Sequence, residues 1–315
     1  MEKQKLIVLA FGGNAIIRQG QYGDIHTQFA NTRQVLEGIV EPVEKGAGLI
    51  IVHGNGPQVG YELIRSQTAH PEAPELPLGV LVADTEGGMG YMIQQCLQNV
   101  LWRHNLKKPV VTILTQVVVD RNDPKLLNPT KPVGRFFTRE EAELLASEKE
   151  WNMKEDSGRG WRMVVPSPDP IRIIEHKTIS RLVNDGVIVI AGGGGGIPIV
   201  VEKNGDFEGQ DVVIDKDLTA ALIGNSCNAD TLIVATDIKK VSLNFNTPQQ
   251  EDLDRISISE AEKYLEQGHF AEGSMGPKIR ASIKFLKNGG RSVVICSPAQ
   301  ISKALAGEAG TVICA

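Results

Sequence analysis

The chain has 315 residues, 41% of them hydrophobic and 23% charged, with a net charge of −5. This is the composition of a soluble globular protein with a large core, in one domain or two closely joined ones, and the acidic balance gives no support to a nucleic-acid surface. Cys96, Cys227, Cys296 and Cys314 are scattered. They lack metal-ligand or redox spacing, which sets aside disulfide and metal-cluster scaffolds, and no stretch approaches membrane-span length. The expectation is a cytoplasmic enzyme.

The first apolar run, LIVLA (6–10), follows MEKQK, is too short for the core of a signal peptide, and releases into FGGNA. A segment with helical spacing, FANTRQVLEGIVEPVEKG, leads to LIIVH (49–53) and then GNGPQVG. Here Pro57 suits a helix start, and VGYELIRSQTA continues the helix. VVTIL (110–114) follows. From about Asp120 to Pro166 the alternation breaks in proline, tryptophan, glycine and charge, an insertion long enough to predict a lid or small subdomain. Beyond it come helical EHKTISRLVNDG, strand-like VIVIA (187–191), five glycines, helical KDLTAALIGNS and strand-like TLIVA (231–235). SEAEKYLEQG and GPKIRASIKFLKNGG carry helical spacing, and SVVIC (292–296) and TVICA (311–315) read as strands. Continuous apolar runs mean strands covered on both faces, and their alternation with helices predicts a mostly parallel, doubly wound sheet.

Ligands of such sheets bind beyond the carboxyl ends of the strands. Three of these strands release into glycine there, at FGGNA, GNGPQVG and GGGGGIP, and clustered main-chain amides with helix N-termini behind them form an anion cradle. GNGPQVG resembles a loose dinucleotide fingerprint, but no acidic residue follows at the spacing that holds a ribose, so a dinucleotide-dependent oxidoreductase is the lesser alternative. Phosphoryl transfer needs cations as well as amides. The chain has no P-loop and no HRD or DFG motif, yet Lys131 in NPTKPVG, Lys216 in VIDKD and Lys278 in GSMGPK sit in settings that solvated lysines rarely share.

These residues carry a resemblance. AFGGNAI (10–16), HGNGPQVG (53–60), LTQVVVD (114–120), NPTKPVGRFFT (128–138), EDSGRGWRMVVPSPDP (155–170), GGGGIP (193–198), VIDKDL (213–218) and GHFAEGSMGPKIRA (268–281) resemble the carbamate kinases, a branch of the amino acid kinase superfamily, from about residue 5 to the end. The resemblance implies a single three-layer αβα domain around a mainly parallel sheet of about eight strands, with a small protruding lid subdomain at 120–166. It implies an acceptor-binding part at 1–119, a nucleotide-binding part at 167–315, and a homodimer. The implied reaction is ATP + carbamate ⇌ ADP + carbamoyl phosphate, with magnesium accompanying ATP or ADP, run toward ATP in arginine, agmatine or purine-derived catabolism. An amino acid kinase for another small carboxylate is the nearer alternative.

By motif match, Lys131, Lys216 and Lys278 stand where the family places its charge-neutralising lysines, and Asp217 where it places the carboxylate that organises them. Asp217 could instead cap the following helix. Lys216 is expected on the transferring phosphoryl group, with the amides of Gly12, Gly13, Gly54 and Gly56 on its other oxygens, and Lys131 as a lid cation. Asn14 and Asn55 offer side-chain amides to phosphate oxygens, and Met275, Gly276, Pro277 and Lys278, with Lys216, are expected at the nucleotide. Gly194, Gly195 and Gly196 are expected to leave room for substrate and phosphates, with close backbone packing as the other reading. Carbamate needs no general base, so His53 is expected to fix its loop through ring hydrogen bonds and His269 to be structural. Glu86, in DTEGGMGY, departs from the family's usual glutamine in a stretch like SQGxIGY. A carboxylate near phosphate is unfavourable unless it faces magnesium or a lysine. The sequence names no metal ligands.

Overall fold

The structure is a computed structural model that describes residues 5–18, 20–149, 151–156, 160–271 and 273–314, and of Asn14 only the main chain. The Asn14 side chain, residues 157–159, Glu272 and Ala315, all within stretches singled out in the sequence, therefore lie outside the described residues.

In chain order the strands are β1 (Leu6–Phe11), β2 (Gly48–His53), β3 (Val110–Ile113), β4 (Gln116–Val119), β5 (Lys131–Phe137), β6 (Met153–Glu155), β7 (Trp161–Val165), β8 (Pro170–Ile173) and β9 (Ile188–Ala191). They continue as β10 (Ile197–Val201), β11 (Phe207–Gly209), β12 (Thr231–Ala235), β13 (Val241–Leu243), β14 (Glu251–Leu253), β15 (Arg255–Ser257), β16 (Ser292–Cys296) and β17 (Thr311–Cys314). The helices are α1 (Gly13–Ile16), α2 (Ile25–Glu37), α3 (Val40–Glu44), α4 (Gly56–Ala69), α5 (Leu78–Arg103) and α6 (Arg139–Lys149). After these come α7 (His176–Asn184), α8 (Lys216–Ser226), α9 (Ile258–Glu266), α10 (Met275–Lys287) and α11 (Ile301–Leu305).

Because successive strand residues face opposite ways, the unbroken run LIVLAF feeds two cores at once. Leu6, Val8 and Ala10 join a cluster with α7 to α10, whereas Ile7, Leu9 and Phe11 join one with α2, α3, α5 and α11. Val8 and Leu9 are fully buried, and a side chain of this kind contributes about 1.5–3 kcal/mol on leaving water. The result is the three-layer sandwich. Its eight strands run in the order β15-β17-β16-β12-β1-β2-β9-β3, parallel throughout except where β16 meets β17.

The seven apolar runs all lie in this sheet, and the short Arg255–Ser257 edge strand makes the eighth. Two helical expectations need correction. The segment 29–46 is not one helix, because it breaks at Gly38, where a side chain would press 3.2 Å from Ile301 Cβ. The 26-residue α5, the longest helix described, was not anticipated at all. It contains Gly79, Gly87, Gly88 and Gly90, residues that argue against a helix interior. Two of these serve packing: a side chain on Gly90 would lie 2.3 Å from Thr112 Cγ2, and one on Gly79 would lie 2.9 Å from the Gln210 carbonyl.

The β3 run ends at Ile113, and the chain then enters a second sheet, β11-β10-β4-β8. The predicted insertion holds a three-stranded antiparallel sheet, β5-β7-β6, with α6 between its strands in sequence. It rests on α4 where Gly60 meets Gly134: a side chain on Gly60 would sit 2.0 Å from Gly134 Cα. Alanine is favoured over glycine in a helix by about 1 kcal/mol, so in the absence of this contact Gly60→Ala would stabilise α4. The clash reverses the sign, and Gly60→Ala is predicted to lower stability in urea by roughly 1–3 kcal/mol. An unchanged or raised urea midpoint would count against this seating of the subdomain.

Candidate active site

The carboxyl ends of β1, β2 and β9 open onto one cleft, where their glycine turns pack against each other. A side chain on Gly54 would lie 3.0 Å from both Gly13 N and Lys216 Cδ, and one on Gly13 would lie 2.9 Å from Pro57 Cδ. Pro57 stands in the first turn of α4, as its conformation favours. Gly13 and Gly56 begin helices, where the helix itself provides no acceptor for their amides. Gly12 is the residue that caps α1. The Gly54 amide, by contrast, donates to the Phe11 carbonyl at 2.9 Å. It shapes the turn and is not an oxyanion donor.

Three elements distant in sequence bring the three lysines together on two aspartates. Lys216 Nζ donates to Asp217 Oδ1 at 2.5 Å, and Lys278 Nζ, from the first turn of α10, donates to Asp217 Oδ2 at 3.0 Å. Lys131, leading β5 of the protruding sheet, is paired with Asp215. Asp215 was missed in the sequence, although it lies within VIDKD. It is also the residue that caps α8, its Oδ1 accepting from the Asp217 amide at 2.9 Å. Asp217 is therefore free of capping duty and binds two ammonium groups, as an organising carboxylate must.

Burial opposes the charges of Asp215, Lys216, Asp217 and Lys278. It pushes the Lys216 pKa down despite the neighbouring Asp217. It also works against Lys278, but the attraction of Asp217 and Asp215 outweighs it and holds that pKa above the usual lysine value. Burial opposes ionisation of both aspartates, yet Lys131, Lys216 and Lys278 hold Asp215 well below the carboxylate range, and Lys216 and Lys278 hold Asp217 below it. Within these five groups three cations face two anions, an excess of one positive charge suited to an anionic ligand, while Asp237 also acts on Lys278.

The five-glycine loop behaves differently from the expectation of a space for substrate. A side chain on Gly194 would collide with Asn55 Nδ2 at 2.2 Å, one on Gly195 with the Ile214 carbonyl at 2.2 Å, and one on Gly196 with Val117 Cγ2 at 2.3 Å. The missing side chains make room for other parts of the protein. The amides of Gly195 and Gly196 close turns onto Gly192 and Gly193, so these two glycines shape the loop and do not donate to a ligand. Thr219 Oγ1 of α8 donates to the Gly195 carbonyl at 2.8 Å and ties the loop to the lysine cluster.

Asn55 also turns inward: it is buried and donates to Thr85 Oγ1 at 2.9 Å, away from any phosphate. His53 is wholly buried, and burial lowers its pKa to about 4 against the pull of the Gly54 and Glu86 carbonyls. Its Nδ1 lies a long 3.4 Å from the Gly54 carbonyl, and Nε2 makes no hydrogen bond of good geometry. The ring therefore fixes the loop by packing more than by hydrogen bonds. His269 stacks edge-on against Tyr264, a structural contact. Glu86 faces neither a lysine nor a metal position, because its carboxylate accepts from the amides of Gly193 and Thr115 at 2.9 and 3.1 Å. Met275 packs on the core under α10, and the Gly276 amide donates to the Ala271 carbonyl at 2.9 Å, with Pro277 in the same first turn as Lys278. Arg162 of β7, not singled out in the sequence, reaches beside Gly56 and donates to the Gly134 carbonyl at 2.9 Å. Among the described residues no cluster of three His, Cys, Asp or Glu could cage a metal ion.

A sequence model described as the amino acid kinase family matches residues 5–297. The carbamate kinase of Pyrococcus horikoshii is 46% identical over 308 residues, covering 97% of this chain and 98% of that protein. The structure of carbamate kinase from Giardia lamblia bound to citric acid superposes with a TM-score of 0.94 at 41% identity, covering 100% of this chain and 99% of the other. The same enzyme bound to AMP-PNP gives a TM-score of 0.89 at 41% identity with the same coverage. The chain belongs to the amino acid kinase family, in its carbamate kinase branch.

Proposed function

We propose that this chain catalyses ATP + carbamate ⇌ ADP + carbamoyl phosphate, and that its lysine cluster stabilises the phosphoryl group as it passes directly between ADP and carbamate. The observation that carries the reading is the meeting of Lys131, Lys216 and Lys278 on Asp215 and Asp217 beside the Gly13 and Gly54 turns. Carbamoyl phosphate and ADP repel each other, so their alignment is the main barrier. A lysine about 4 Å from a phosphate charge gains roughly 4 kcal/mol at an effective dielectric near 20. Lys216, seated between the two glycine turns, stabilises charge on the transferring group, with Gly13 and Gly56 amides on its other oxygens. Asp217 keeps Lys216 and Lys278 at fixed distance from each other, so no reorganisation is needed as charge moves. Carbamate supplies its own anionic oxygen as nucleophile, which leaves no role for a general base.

Residues 1–119 hold the acceptor in this reading, and residues 167–315 the nucleotide, with the first turn of α10 beside its phosphates. The Giardia enzyme's complex with AMP-PNP supports a nucleotide site of this kind. Magnesium accompanies the nucleotide as part of that substrate, neutralising its phosphate charge. Both Asp217 oxygens are engaged by lysines, so phosphate oxygens would hold most of such an ion, as is usual for magnesium. The 120–166 subdomain carries Lys131 over the cleft and excludes water from carbamate, which decomposes in it. Net flux toward ATP, in arginine, agmatine or purine-derived carbamoyl catabolism, suits such a reaction. A homodimer would cover exposed apolar residues such as Leu114, which directly follows the edge strand β3. Four free cysteines, three of them buried, accord with a reducing compartment such as cytoplasm. Among the described residues no helix is long and apolar enough to cross a membrane.

The direct test is ATP formation from ADP, magnesium and carbamoyl phosphate, with acetyl phosphate as the competing donor. Preference for acetyl phosphate would assign the chain to another small carboxylate. Lys216→Ala is predicted to reduce turnover by about a hundredfold or more, the scale for losing a preorganised donor, and near-normal turnover would remove Lys216 from the mechanism. Lys131→Ala is predicted to slow turnover while leaving ADP affinity nearly unchanged, and a large loss of ADP affinity would place Lys131 on the nucleotide instead.

A further inference from the structure

Thr85 and Glu86 lie side by side on α5, within DTEGGMGY and outside the lysine motifs and glycine turns of the cleft, and both are buried. Thr85 Oγ1 accepts from Asn55 in the GNGP turn, while its own proton goes back to the helix, to the Val82 or Leu81 carbonyl. Glu86 is 1% exposed and uses its two carboxylate oxygens on two separate segments, the Gly193 amide in the five-glycine loop and the Thr115 amide after β3. Thr115 in turn accepts from the Gly192 amide at 2.9 Å. The same loop passes from Gly193 to Gly195, whose carbonyl is held by Thr219 on α8, one turn beyond Lys216 and Asp217.

We propose that Glu86 is a positioning residue for phosphoryl transfer, its carboxylate clamping the five-glycine loop so that the loop braces the first turn of α8 and its lysine–aspartate cluster. This rests on the reading of that cluster as the phosphoryl-transfer site. Where the family usually has glutamine, this chain's carboxylate offers a strong acceptor at both oxygens, and its loop is built on both. An amide in its place accepts at one oxygen and turns N–H toward the other donor, leaving a buried main-chain amide unsatisfied. Few charges surround the clamp. His53 faces it from β2 and stays neutral, and Glu175, whose carboxylate holds Gln116, adds a weak repulsion. Burial raises the Glu86 pKa to about 8, against the pull of the Thr115 and Gly193 amides. Above that pH both acceptors are available, and below it the proton leaves one.

The test compares kcat, and KM for ADP, of the unaltered chain and Glu86→Gln between about pH 6 and about pH 10. The substrates' own titrations are common to both chains, so the ratio of the two isolates residue 86. The ratio of kcat values is expected to rise from near one on the acid side to about tenfold or more on the alkaline side, with KM for ADP little changed. A ratio that is constant across the range, or a loss falling only on KM, overturns the proposal. Glu86→Asp keeps the charge on a shorter arm and is expected to lower kcat while retaining the inflection; loss of the inflection in this variant also overturns it. Amide exchange needs no activity, so it separates this proposal from the assigned reaction. The amides of Gly192 and Gly193 are expected to exchange about tenfold faster or more in Glu86→Gln at alkaline pH, and unchanged exchange there overturns the clamp even if the chain acts on a different substrate.

Discussion

Five charged groups at the start of α8 set the terms for everything around them. Taking an ammonium group or a carboxylate out of water costs several kcal/mol even after relaxation, roughly balanced only when each finds partners of good geometry. Here each aspartate has more than one task. Asp215 caps α8 and holds Lys131, and Asp217 divides its two oxygens between Lys216 and Lys278. The lysines come from β5, α8 and α10, so the pairing stitches the protruding sheet and two helices into one cleft. The surplus positive charge is what a pair of mutually repelling phosphorylated molecules requires.

The glycine turns belong to the same constraint. Lys216 reaches the cleft by laying its stem across Gly54, and Gly54 can stand there only because it has no side chain. The five-glycine loop threads between His53, Asn55, Ile214 and Val117 for the same reason. Glycine here lowers the steric cost of bringing protein against protein, and in the proposed reading helix-start amides and lysines are the groups that meet the ligand. Behind the loops, α5 supplies the hydrogen bonds that fix them, from a helix whose own glycines let it lie close against Thr112 and Gln210.

Strand-forming runs were legible because a strand covered on both faces is apolar at every position, and LIVLA, VIVIA and TLIVA have no other soluble use. Lys131, Lys216, Lys278 and Asp217 were legible through their motifs. The α5 helix was not: its glycines lower helix propensity, and its apolar residues are spread widely enough to blur a single stripe, since it packs on several neighbours. Asp215 was hidden beside two residues of more obvious chemistry, and its role depends on Lys131, 84 positions earlier. The inward turn of Asn55 and the use of Glu86 on main-chain amides follow from partners on other elements, which no local pattern encodes.

The most direct measurement on the central claim is turnover together with thermal unfolding for Asp217→Asn. If Asp217 holds two buried ammonium groups in register, this variant leaves them with a neutral partner, and both melting temperature and turnover fall, turnover by about a hundredfold or more. A folded Asp217→Asn protein with the stability and turnover of the unaltered chain would contradict the account at its root.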